Sequence, residues 1–161
     1  MLGVNNNMNF SIETNKEKEE LLAILKNNTE DEPHFWSLRT QLTGSKYFFG
    51  YVHDDEFKIS RVIMYRNSFL PVIEGNIIDN GSNRVVNISM HYHPFVLGFM
   101  AIWLIFVIIG CIVTPFQKVD GMPFIFRFIP YFMLVFGALL FTVPYKVESN
   151  IAKNKLIELL Q

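Results

Sequence analysis

The chain has 161 residues, a formal net charge of −1 and one cysteine, Cys111. That length holds one compact unit. The missing basic excess argues against nucleic acid as a partner, and a lone cysteine excludes an intrachain disulfide and any CxxC site. Residues 1–94 carry 9 Lys/Arg and 12 Asp/Glu, whereas residues 95–161 carry 5 and 3.

From the N-terminus, residues 1–13 read as a flexible segment. They contain no apolar core of the kind a secretory leader needs, and the charged run ETNKEKEE follows. Residues 14–94 read as a cytoplasmic helix followed by a β-meander. Thr14 with Glu17 three positions later forms a capping box, and Leu21, Leu22 and Leu25 make an apolar stripe. A connector, DEPHFWSLRTQLTGSK, comes next. The apolar period then changes to two, and four antiparallel strands are predicted over 47–52, 56–66, 70–79 and 84–93. Phe57, Ile59 and Arg61 share one strand face, HDD turns the first hairpin and NGSN turns the last.

Two membrane spans follow, at 95–113 and 123–143. The first, FVLGFMAIWLIFVIIGCIV, is nineteen residues without a charge. At 1.5 Å per residue it reaches roughly 28 Å, close to the thickness of the hydrocarbon layer. The second contains Arg127 near its start, where a guanidinium can snorkel to headgroups, and Pro130, which is expected to kink it. Gly98 with Ala101 and Gly137 with Ala138 offer small surfaces for close helix packing. The short link 114–122 permits only a hairpin, so both termini lie on one side. Arg84, Lys146, Lys153 and Lys155 on that side, against Lys118 and a snorkelling Arg127 on the other, favour the cytoplasm. Residues 144–161 read as an amphipathic helix that either covers the apolar face of the sheet, which would be marginal without it, or lies on the membrane surface; the sheet is the preferred reading. The fold class is therefore an α+β membrane protein: a small antiparallel meander with N- and C-terminal helices and a transmembrane helical hairpin.

Few residues suggest chemistry. In YRNSFLP (65–71), Arg66, Asn67 and Ser68 are candidates for holding an anion or a phosphate headgroup; the plainer reading is a corner, since Asn and Ser bond nearby backbone. Arg127 is a further headgroup candidate. His91 and His93 sit two apart on a strand, a spacing that can ligate a metal, but no recognisable ligand set accompanies them, and no metal or other cofactor is expected. No nucleophile–base pair, phosphate loop or dinucleotide fingerprint occurs, so no enzyme activity is expected.

The strings FFGYVHDDEFKISRVIMYRNSFLPVIEGNI, ISMHYHPFV and VESNIAKNKLIELL, with two spans between the last two, cover residues 46–160. They resemble a family of small bacterial two-span membrane proteins marked by a YRNSFxP-type block. The resemblance implies the architecture and a bacterial inner membrane, and carries no activity with it. The expected function is a membrane-anchored cytoplasmic binding or assembly module. The alternative is an oligomeric membrane-perturbing effector or channel subunit with a sensing β-domain. The expected partners are the lipid bilayer and either a protein partner or further copies of the chain.

Overall fold

The computed structural model describes residues 8–31, 46–65, 67–79, 81, 83–116 and 123–161. The elements run β1 (Met8–Thr14), α1 (Lys18–Asn28), β2 (Thr29–Asp31), β3 (Phe48–His53), β4 (Glu56–Arg61), β5 (Val72–Asp79), β6 (Arg84–His91), α2 (Pro94–Val113) and α3 (Ile129–Leu160). Six strands form one mixed sheet in the order β1-β6-β5-β4-β3-β2. Strands β3 to β6 make an antiparallel meander, β1 adds antiparallel to β6, and β2 adds parallel to β3. The molecule is thus α+β, with two helices long and apolar enough to cross a membrane.

The N-terminal segment corrects the sequence reading. Met8–Glu13 is not flexible: Met8–Thr14 pairs residue by residue with Met90–Arg84. Its alternation explains why. Ile12 is buried with the core, Phe10 packs against it, and Asn9, Ser11 and Glu13 face away. Pairing of Thr14 with Arg84 also removes Thr14 from the helix. Its hydroxyl accepts from the Lys16 amide at 3.3 Å instead, and Glu17 takes the N-cap position without a side-chain bond. Residues 32–45, which hold most of the expected connector, lie outside the described residues.

One face of the sheet is apolar and carries both helical layers. Phe48, Phe57, Ile59, Ile73, Val86, Ile88 and Met90 meet Leu21 and Leu25 of α1 and Ala152, Leu156 and Leu160 of α3. Gly50 of β3 has φ +142°, and a Cβ there would stand 2.1 Å from the carbonyl oxygen of Lys58, so this close approach of β3 to β4 admits only glycine. The opposite face is largely polar, and none of the described helices packs on it. Its rows follow from the register: His53–Glu56–Asn76–Asn87–Ser11, then Tyr51–Lys58–Glu74–Ser89–Asn9, then the pairs Phe49–Ser60 and Val72–His91 nearest α2.

Helix α3 runs 32 residues without a break, about 48 Å at 1.5 Å per residue. Residues 144–161 are therefore the continuation of the second apolar segment and not a separate helix. Pro144 lies inside it and has no N–H for the carbonyl of Leu140. Near Pro144, Thr142 Oγ1 donates to Ala138 O at 2.7 Å and Tyr92 Oη to Phe141 O at 3.2 Å. Pro130 makes no kink. Phe124–Phe128 is a 3₁₀ turn, and Pro130 occupies the first turn of α3, where a missing N–H costs nothing.

Of the two expected small surfaces, the α3 one lies at the α2–α3 contact and the α2 one does not. Gly98 faces open space, whereas Gly137 lies under the Trp103 ring and Gly110 meets Pro130. Tyr131 Oη donates to Cys111 O at 2.9 Å at the far end of the hairpin. The outward residues of both helices, among them Phe99, Ile102, Phe106, Phe132 and Val135, are exposed.

Candidate functional site

Two constellations meet where the sheet joins the hairpin. The first clamps α3. On the inward face of β4, Arg61 Nη2 lies 2.7 Å from Glu148 Oε2, with side chains only 14% and 3% exposed. Tyr65 Oη donates to Glu148 Oε1 and accepts from Arg61 Nη2 at 3.1 Å. Burial acts to lower the Arg61 guanidinium, but the hydrogen bond with Tyr47 and the charge of Glu148 outweigh it and leave it raised. The Glu148 hydrogen bond, aided by burial, raises the Tyr65 phenol and keeps it a neutral donor. Two turns of α3 earlier, Phe141 stacks on Tyr92 at 4.1 Å and takes Phe69 edge-on at 6.1 Å. Tyr92 also stacks on Tyr145 at 3.8 Å, and burial pushes its phenol up to about 12. Tyr145 Oη donates to Met90 O at 2.8 Å.

YRNSFLP is thus a corner with a task. Tyr65 and Phe69 grip α3 at Glu148 and Phe141, seven residues apart on the helix. Asn67 Oδ1 accepts from the Phe69 amide at 2.9 Å, which fixes the turn, and Leu70 and Pro71 are buried behind it.

The second constellation is a groove of about 810 Å³ between the last outer row of the sheet, the 67–70 turn and the first turn of α2. Lys58, Ser60, Asn67, Ser68, His91 and His93 line its polar part; Phe69, Leu70, Val72, Phe95, Val96 and Phe99 line its apolar part. Glu74 stands one row outward. It accepts from Lys58 Nζ at 2.9 Å and faces His91 Nε2 at 3.2 Å. The Lys58 hydrogen bond, with help from His91 and against the effect of burial, holds the Glu74 carboxyl below the usual carboxylate range. His91 Nδ1 lies 3.1 Å from Tyr92 O, so the ring stands between two acceptors. His93 caps α2: its Nδ1 accepts from the Phe95 amide at 3.2 Å, which leaves Nε2 as the donor.

The structure therefore brings Asn67, Ser68, His91 and His93 into one groove. Arg66 lies outside the described residues. Arg127 is at the opposite end of the hairpin, in the 3₁₀ turn, with its guanidinium 5.7 Å from the Phe124 ring. Strand β6 ends at His91, so His93 is not on a strand face as expected, because Pro94 opens α2 directly after it. Among the described residues, no group of three or more His, Cys, Asp or Glu side chains is placed to hold a metal ion.

Sequence reasoning missed the Arg61–Glu148 pair. Two signals pointed to it: Arg61 shares the inward strand face of Phe57 and Ile59, and Glu148 is the one acidic residue between 121 and 157. It also missed the aromatic stack, since Tyr92 and Phe141 are separated in sequence by α2 and the first part of α3. No protein-family model, curated protein or solved structure matches the chain.

Proposed function

We propose that the chain is a membrane-anchored binding module, with α2 and α3 spanning a bacterial inner membrane and both termini in the cytoplasm. The observation that carries this reading is the continuity of α3. A single helix begins among exposed apolar residues and ends in the sheet core at Ala152, Leu156 and Leu160. The hairpin thus fixes the sheet's position and orientation as well as its location, through the clamp at Phe141 and Glu148. Exposed apolar surface of this extent is not tolerated in water and is ordinary against lipid. The position of Arg127 at the hairpin tip, over an aromatic ring, supports snorkelling to the headgroups on the far side. That position gives little support to the alternative of a charge-lined channel. What the module presents to the cytoplasm is the uncovered polar face of the sheet and the groove below it.

Impermeant maleimide labelling tests this reading. In a Cys111→Ala background, Phe116→Cys is expected to label from outside intact spheroplasts and Lys155→Cys only after lysis. Extraction of the protein by alkaline carbonate, or the reverse labelling pattern, would overturn it.

A further inference from the structure

The groove beside α2 has a polar end, an apolar end and one open side, and its residues are in the order an amphiphile would meet them. Along the chain, His91 and His93 come first and Phe95, Val96 and Phe99 follow within the first turns of α2. Phe95 is 76% and Phe99 59% exposed, so the apolar end runs without interruption onto the outer surface of α2. We propose that this groove binds one anionic glycerophospholipid from the surrounding bilayer, its headgroup phosphate at Lys58, His91 and His93 and its acyl chains along Phe95 and Phe99. The inference deepens the membrane-anchored reading and rests on it.

Charge selects the headgroup. Among the described residues, the ionisable ones that line the groove are one lysine and two histidines, and none is acidic. Glu74 is held one row outward, where it fixes Lys58 and His91 without standing at the groove wall. His91 Nδ1 and Nε2 face Tyr92 O and the Glu74 carboxylate, which fixes the ring where it borders the groove beside Lys58. Neutral donors complete the polar end. Asn67 commits its Oδ1 to the turn, which leaves the amide N–H groups, and His93 commits Nδ1 to the helix cap, which leaves Nε2–H. Ser60 contributes less, because its hydroxyl donates to Pro71 O at 3.2 Å. Volume is in proportion: about 810 Å³ exceeds what an inorganic phosphate fills and suits a headgroup with the first carbons of its chains.

Geometry selects the source. A free phosphate or a soluble phosphorylated compound makes no use of an apolar wall that opens onto the span. A bilayer lipid reaches the groove laterally, with its phosphate already at the depth where α2 starts. Burial of two aromatic faces then adds to the electrostatic attraction, and both act in the same ligand.

The test is lipid retention by the full chain in nanodiscs of mixed phosphatidylcholine and phosphatidylglycerol, read by native mass spectrometry after the disc is stripped. The expected result is one retained phosphatidylglycerol per chain in preference to phosphatidylcholine. The Lys58→Gln/His91→Gln variant should lose that preference by roughly tenfold, the factor set by one lost charge-assisted hydrogen bond. Phe99→Ala should lower retention of both lipids. Equal retention of the two lipids, or an unchanged preference in the double variant, overturns the proposal. If the double variant does not fold, Val96→Trp, which fills the groove from α2, replaces it, and phosphatidylglycerol that survives Val96→Trp overturns the proposal equally. Inorganic phosphate titrated onto the chain in phosphatidylcholine discs gives a further arm. Saturable shifts of the His91 and His93 ring signals, unaffected by Phe99→Ala, would replace the lipid with a soluble anion. Failure of the chain to enter phosphatidylcholine discs at all would instead sink the anchoring, a distinct result.

Discussion

The two ends of α3 obey opposite rules. From Ile129 to about Phe141 the helix exposes large apolar side chains, and its described contacts with the rest of the chain are few: Gly137 under Trp103, Pro130 against Gly110, and Tyr131 on a carbonyl. From Tyr145 to Leu160 it buries small and branched residues in the sheet core. There it is further tied by Lys153 over Phe10, Lys155 over Tyr47 and Lys16 Nζ on the Leu159 carbonyl at 3.1 Å. The difference shows that sheet and hairpin are held by separate forces. The sheet's half of α3 is buried within the chain, the hairpin's half is exposed and apolar, and among the described side-chain contacts the clamp at Phe141 and Glu148 is where the two halves meet. Cutting each part in turn should separate their contributions.

The largest effect is expected at the clamp. Glu148→Ala leaves the Arg61 guanidinium buried beside Tyr65 without its carboxylate, which costs about 3–5 kcal/mol. Chemical denaturation in detergent micelles should show the loss in the sheet transition, with helical signal from the hairpin retained. The double variant Arg61→Leu/Glu148→Leu should recover most of it, since an apolar pair of similar volume removes both buried charges. Loss of hairpin and sheet signal together would mean that the two parts fold as one.

The hairpin's own contact comes next. A Cβ on Gly137 would stand 2.0 Å from the Trp103 ring, so Gly137→Leu should force α2 and α3 apart at a cost of about 1–3 kcal/mol. The expected readout is altered mobility in mild detergent gels with an unchanged sheet transition. Trp103→Ala should restore packing in the double variant; failure of that rescue would place the fault elsewhere in the helix.

Phe141→Ala probes the aromatic side of the clamp. It removes the stack on Tyr92 and the edge contact with Phe69, for about 1 kcal/mol beyond the lost area. Tyr92 fluorescence should become more solvent-sensitive, and Tyr65 should keep its bond to Glu148, because that anchor lies two turns further along.

The contrast between the two ends of α3 also governs what could be read in advance. The apolar helices and the meander follow from local patterns: nineteen uncharged residues from Phe95, and alternation around Phe57 and Ile59. Strand β1 carried a clear alternation too, at Phe10, Ile12 and Thr14, but its partner is β6, some seventy residues on, and the asparagines before it read as a loose end. Of the groove, the residue types at Asn67, Ser68, His91 and His93 were visible. Lys58, Phe95 and Phe99 join them only through sheet register and the turn into α2, neither of which a single strand's pattern reports.

The smallest effect concerns the outer face, and it is a matter of pH. Glu74 has its carboxyl held below the usual carboxylate range, by Lys58 first and then His91. A carboxylate whose value is depressed in the folded state contributes stability that is fully present above its unfolded value. That contribution is lost as pH falls through the lower folded value. Acidification from neutral pH should therefore leave the Lys58–Glu74–His91 row intact until below the ordinary carboxylate range. The Glu74 side chain is 45% exposed, so solvent screens the pair and the change in global stability should be close to the limit of detection. The sensitive readout is local: the Glu74 side-chain signal followed by NMR across the acid range. Lys58→Met should move its midpoint up toward the unperturbed value, with the midpoint of a distant carboxylate such as Glu13 unchanged. A Glu74 midpoint that ignores the loss of Lys58 would mean that the contact with His91, and not Lys58, sets it.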